Sequence, residues 1–172
     1  VTPHTFHEGS STMSSLDNAP LLELDVQEWV NHEGLSNEDL RGKVVVVEVF
    51  QMLCPGCVNH GVPQAQKIHR MIDESQVQVI GLHSVFEHHD VMTPEALKVF
   101  ISEFGIKFPV AVDMPREGQR IPSTMKKYRL EGTPSIILAD RKGRIRQVQF
   151  GQVDDFVLGL LLGSLLSETD ET

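Results

Sequence analysis

Val44-Val45-Val46-Val47-Glu48-Val49-Phe50-Gln51-Met52-Leu53-Cys54-Pro55-Gly56-Cys57 is the stretch that decides how this chain of 172 residues is read. Its β-branched residues do not alternate with polar ones, so they predict a central strand buried on both faces. The two cysteines of the chain follow at C-x-x-C spacing, where that strand gives way to a helix. Next to a βαβ pattern, such a pair reads as a dithiol redox site. A disulfide closing so short a loop removes little unfolded-state entropy and makes a poor staple. Half of a metal site and two inert core thiols are the other readings; close spacing around Pro55-Gly56 favours redox chemistry.

Downstream, Ile68, Met71 and Ile72 recur at helical spacing, and Pro63 either kinks that helix or starts its main body. Gln76 to Leu82 predicts a second buried strand, and His83 to Asp90 a loop carrying His83, His88 and His89. Thr93-Pro94-Glu95 opens a helix, with Thr as N-cap and Pro as first helical residue. Leu97, Phe100, Ile101 and Phe104 form its apolar face, and Gly105 ends it. Then come a strand over Phe108–Val112, a short helix over Ile121–Tyr128, and the turn Glu131-Gly132-Thr133-Pro134. Ser135–Ala139 and Ile145–Phe150 pair through the hairpin turn Asp140-Arg141-Lys142-Gly143, and residues 154–167 form an apolar last helix. Upstream, Leu21–Val30 predicts an extended segment on the domain edge with Trp29 in the core, and Ser36–Leu40 one capped helical turn. Residues 1–20 read as a flexible N-terminal tail and 21–172 as a single domain. The order β-α-β-α-β-α-β-β-α implies an α/β fold: a mixed central sheet with helices on both faces.

A formal charge of −9 argues against nucleic acid and against docking on anionic membranes. Residues 1–20 hold no apolar run of the roughly 7–15 residues a secretory signal needs. The expected location is therefore cytoplasmic, with Met13 as the natural start; if residues 1–12 belong to a mature exported protein, it is periplasmic. Gly159-Leu160-Leu161-Leu162-Gly163 matches G-x-x-x-G in a run shorter than the roughly 20 residues that span a bilayer. Burial of that helix is expected, and a homodimer through it is the alternative.

The order of these pieces resembles the thioredoxin superfamily, specifically its redoxin branch of TlpA-like thiol:disulfide oxidoreductases and AhpC/TSA-related proteins. The resemblance covers about residues 40–168. It rests on Cys54-Pro55-Gly56-Cys57 after a valine strand, Gly132-Thr133-Pro134 before a strand, Asp140-Arg141-Lys142-Gly143 before the next, and the inserted αβ unit at residues 94–112. It implies a thioredoxin-like fold in which Thr133-Pro134 is the cis-proline loop that binds substrate. There are departures. Leu53 stands where Trp usually precedes the first cysteine, and Pro-Gly replaces Gly-Pro. His60 stands where TlpA-like proteins often carry a carboxylate, and Glu48 takes the place of the buried Asp of thioredoxin.

Cys54 falls at the helix start, where free N–H groups and the helix dipole favour a thiolate. Such sites lower a thiol pKa from about 8.5 towards roughly 3.5–7.5, so Cys54 is the expected nucleophile. Cys57, one turn further in, is expected to resolve the mixed disulfide. Glu48, costly in an apolar strand, is placed to take the proton from Cys57 as that thiol attacks, unless the strand end is solvated. His60 either tunes the pair or lies exposed. No organic cofactor and no metal site are expected. The partners implied are a disulfide-containing protein or small thiol substrate and an upstream thiol reductant. A thiol peroxidase is the first alternative. Peroxiredoxins place Pro seven and Thr three residues before the peroxidatic cysteine; counting from Cys54 gives Val47 and Gln51, and from Cys57 gives Phe50 and Cys54. A non-enzymatic metal-binding or redox-sensing module is the second alternative.

Overall fold

Six strands share one sheet: β1 (Val26–Trp29), β2 (Val44–Phe50), β3 (Val77–His83), β4 (Val110–Asp113), β5 (Ser135–Ala139) and β6 (Ile145–Phe150), in the spatial order β1-β4-β3-β2-β5-β6. The computed structural model describes residues 19–168, so the tail expected over 1–20 lies outside the described residues except for Ala19 and Pro20. β2 runs parallel to β3, and β3 to β4, while β5 lies antiparallel to β2 and β6 antiparallel to β5. The sheet is therefore mixed. Its interior strand β2 is buried along its whole length, as the unbroken valine run requires.

Successive β2 side chains point to opposite faces. Val44, Val46 and Phe50 join one core with helices α2 (Val62–Met71), α3 (Pro94–Glu103) and α5 (Asp155–Ser167). Val45, Val47 and Val49 join a second core with Met125 of α4 (Ser123–Lys127) and Leu40 of α1 (Asn37–Leu40). Helices thus cover both faces. The expected inserted unit is α3 followed by β4, and the edge segment is β1, antiparallel on β4 with Trp29 partly buried. The capped turn expected over Ser36–Leu40 is α1, closed by a capping box between Ser36 and Asp39.

Two expectations need correction. His83 is not a loop residue but the last residue of β3, buried because it sits between Phe50 of β2 and Val112 of β4. The last helix is only half buried. Leu158, Leu162 and Leu165 face the core, whereas Phe156, Val157 and Leu160 face outward, because one face of the helix suffices to cover the sheet. Among the described residues no helix is long and apolar enough to cross a membrane.

Candidate active site

Beyond Phe50 the chain leaves the sheet through a turn in which the Cys54 N–H donates to the Gln51 carbonyl (3.0 Å). The Met52 N–H inside that turn donates to His83 Nε2 (3.2 Å). A helix begins at Pro55, but its second turn, Cys57–Gly61, is a π-helix, closed by the Val62 N–H on the Cys57 carbonyl. Pro63 accounts for the wide turn: it has no N–H to give, and its ring clashes with a carbonyl four residues back in regular helix. Regular α2 starts from there, so Pro63 opens the main body of the helix.

This geometry separates the two thiols, both free. Cys54 is half-buried at the helix mouth, and Cys57 is 0 % exposed behind it. The Cys57 N–H donates to Cys54 Sγ (3.4 Å), and the Cys54 thiol donates to the Thr133 carbonyl (3.4 Å). The Thr133–Pro134 bond is cis. A Cβ on Gly56 would stand 3.1 Å from Pro134 Cδ, so the glycine lets the helix mouth and the proline loop close on each other. Burial first, and the hydrogen bond to Cys54 second, push the Cys57 thiol far above its ordinary pKa. Brief iodoacetamide treatment at neutral pH should therefore label Cys54 well before Cys57. Mass mapping reads the order, and faster labelling of Cys57 reverses the roles.

Glu48 is 3 % exposed, on the β2 face that meets α2, so the solvated strand end is ruled out. Burial first, and charge on Cys54 second, hold its carboxyl well above the usual range. Among the described residues its Oε1 has no hydrogen-bond partner. That oxygen lies under Gly61, where a Cβ would come within 2.0 Å of it and 3.1 Å of Pro134 Cβ. The carboxyl thus occupies space left by a glycine, between the π-helical turn and the proline loop. His60 lies on the exposed outer side of that turn, lining a separate cleft with Pro63 and Gln64.

The three histidines are not gathered. His83 is buried, and His89 Nε2 lies 3.0 Å from the Arg120 carbonyl. Among the described residues no group of three or more His, Cys, Asp or Glu could hold a metal. Burial lowers the His83 pKa from 6.5 to about 4. Between those values the unfolded chain binds a proton that the folded chain refuses, so His83 makes stability rise with pH through this window. Denaturant titrations should show stability falling as pH drops from 6.5 towards 4, with the fall reduced in His83→Gln. Equal slopes in both proteins would remove His83 as the cause.

Gln51, Gly61 and His83 are the site residues that reading the sequence missed. A polar residue ending each of two apolar strands was the available signal for Gln51 and His83. Gly61 had none apart from the need of a buried acid for room.

A buried thiol behind a half-exposed one, at a helix mouth facing a cis-proline loop, on this sheet order, is a dithiol site on a thioredoxin-like fold. The Redoxin family model matches residues 19–156, and the chain belongs to that family. A crystal structure of a thiol-disulfide isomerase from Corynebacterium glutamicum is 99% identical, with a TM-score of 0.89 over 90% of this chain and 100% of that one. Protein DipZ of Mycobacterium bovis is 27% identical over 94% of this chain and 22% of its own length. The thiol-disulfide oxidoreductase ResA of Bacillus thuringiensis is 29% identical over 67% of this chain and 59% of its own. The chain thus spans about a fifth of DipZ (22%) and somewhat over half of ResA (59%).

Proposed function

We propose that the protein reduces disulfides of proteins or small molecules through Cys54 and Cys57. The observation that carries this is the graded burial of the two thiols, one at the mouth and one 0 % exposed behind it. Cys54 thiolate attacks a substrate disulfide, forming a mixed disulfide and releasing one substrate thiolate, which takes up a proton. Cys57 gives its proton to Glu48, directly or through one water, and attacks Cys54 Sγ. The Cys54–Cys57 disulfide forms and the second substrate thiol leaves. Two electrons have passed to the substrate, and an upstream thiol protein returns them. Thr133, whose carbonyl already meets Cys54 Sγ, presents backbone to the substrate segment. The setting that suits this direction is the cytoplasm; in a periplasmic setting the same dithiol works against a different partner.

Cys57→Ser tests the assignment. Without the resolving thiol, mixed disulfides should accumulate with proteins of a lysate and be released by dithiothreitol. In a peroxidase the same variant accumulates a sulfenic acid at Cys54 instead. Fast sulfenic-acid formation with no trapped partner moves the assignment to peroxidase.

A further inference from the structure

Beside Cys54 lies a cavity of about 160 Å³ walled by Leu53, Phe86 and Met92, with Glu87 and His88 on its rim. Leu53, next to the nucleophile, is left 54% exposed, an apolar surface that a bound partner would cover. The cavity is close in size to one that holds a benzene ring, on the order of 150 Å³.

Its far wall is held in place by one buried amide. Gln51, 2 % exposed, accepts the N–H groups of Phe86 (3.1 Å) and Glu87 (3.2 Å) on Oε1. Its Nε2 lies 3.5 Å from both the Glu87 carboxylate and the Thr133 hydroxyl. The loop carrying the wall is thereby fixed to the loop that presents Thr133. His88 turns that loop with φ +48°, a left-handed conformation that histidine adopts more readily than most non-glycine residues. Glu87 is exposed and forms no ion pair among the described residues, so its charge faces whatever enters. The chain around it carries a net −9.

We infer that this cavity selects the substrate. It takes a bulky apolar side chain beside the attacked cysteine of a polypeptide, Glu87 favours a basic neighbour, and small disulfides bearing carboxylates are disfavoured. The inference rests on the dithiol reading of Cys54 and Cys57. The apolar wall gains by covering area that water otherwise wets. The acidic rim acts through long-range charge, so its effect weakens with salt.

The test uses the pre-reduced full chain and short peptides whose single cysteine is linked to 2-thiopyridine. Cys54 forms a bond to the peptide sulfur, the S–S bond to the thiopyridine breaks, and pyridine-2-thione is released and read by absorbance. The residue beside the cysteine is Phe or Ala, and the next is Lys or Glu. Neutral 2,2′-dipyridyl disulfide and oxidised glutathione serve as small disulfides. Phe should exceed Ala by about 10-fold or more in the second-order rate constant of this single turnover, the discrimination an apolar pocket can give. Lys should exceed Glu severalfold at low salt and less at high salt. Glu87→Lys should invert the Lys-to-Glu ratio, and Phe86→Ala should shrink the Phe-to-Ala ratio. Equal rates for all four peptides and for oxidised glutathione, with the neutral disulfide still attacked, overturn the inference and leave the dithiol reading standing. No attack on the neutral disulfide overturns the dithiol reading itself.

Discussion

Glu48→Gln should form the mixed disulfide at Cys54 at close to the normal rate and resolve it about 10²-fold or more slowly, the usual worth of a positioned proton acceptor. The reason lies in the pairing of two buried groups. Burial raises the Cys57 thiol and keeps it protonated at neutral pH, so attack requires that its proton go somewhere at the same moment. Burial also raises Glu48, which brings a carboxylate closer to the basicity that the task needs. Glutamine keeps the shape and removes the basicity. Stopped-flow traces resolve the two steps, and an unchanged second step would end the proton-acceptor role. A second readout moves in the opposite direction. Above about pH 4.5 the unfolded chain loses the Glu48 proton that the folded chain retains, so the wild-type protein loses stability as pH rises towards the raised folded value. Glu48→Gln lacks that loss and should gain on the wild type with rising pH. This slope is opposite in sign to that of His83.

Gly61→Ala should destabilise the protein although helix propensity alone favours alanine by about 1 kcal/mol. Gly61 has ordinary helical dihedrals, φ −60° and ψ −56°, so backbone freedom is not what it supplies. It supplies space. The added methyl would stand 2.0 Å from Glu48 Oε1 and 2.9 Å from its Cδ. The carboxyl is the end of a flexible side chain, but it is enclosed by β2, the π-helical turn and Pro134. Overpacking of this kind costs about 1–3 kcal/mol, or roughly 2–12 °C in Tm for a chain of this size. Glu48→Ala in the same chain should recover most of the loss, because it removes the atoms the methyl meets. Thermal melts of the two single variants and the double variant give the coupling. Additive losses would show that the methyl and the carboxyl do not compete for one space.

How much of this was legible in the sequence differs from element to element. The valine run fixed β2 as an interior strand, because apolar residues on both faces of a strand leave no side for water. Local chemistry likewise set the ends of α1 and α3: Ser36 and Thr93 cap the nearest free N–H groups, an interaction confined to a few residues. The C-x-x-C spacing placed both thiols on one turn, and Pro63 marked a break in the helix, although only the structure shows that it opens the main body and does not kink it.

What lay beyond local reading was everything set by residues far apart in the chain. Cys54 meets the Thr133 carbonyl across 79 positions, and Met52 meets His83 across 31. Only the parallel pairing of β2 with β3 brings the end of one strand beside the other and makes His83 an acceptor for the active-site turn. The outward face of α5 was likewise undecided, since its sequence is apolar on most sides and only packing chooses which side the sheet covers. Glu48 shows the division most clearly. Its place in an apolar strand, six residues before Cys54, was plain from the sequence and marked it as costly. Whether water reached it depended on Gly61 and Pro134 closing over it, and that depends on how β2, the helix and the proline loop pack together.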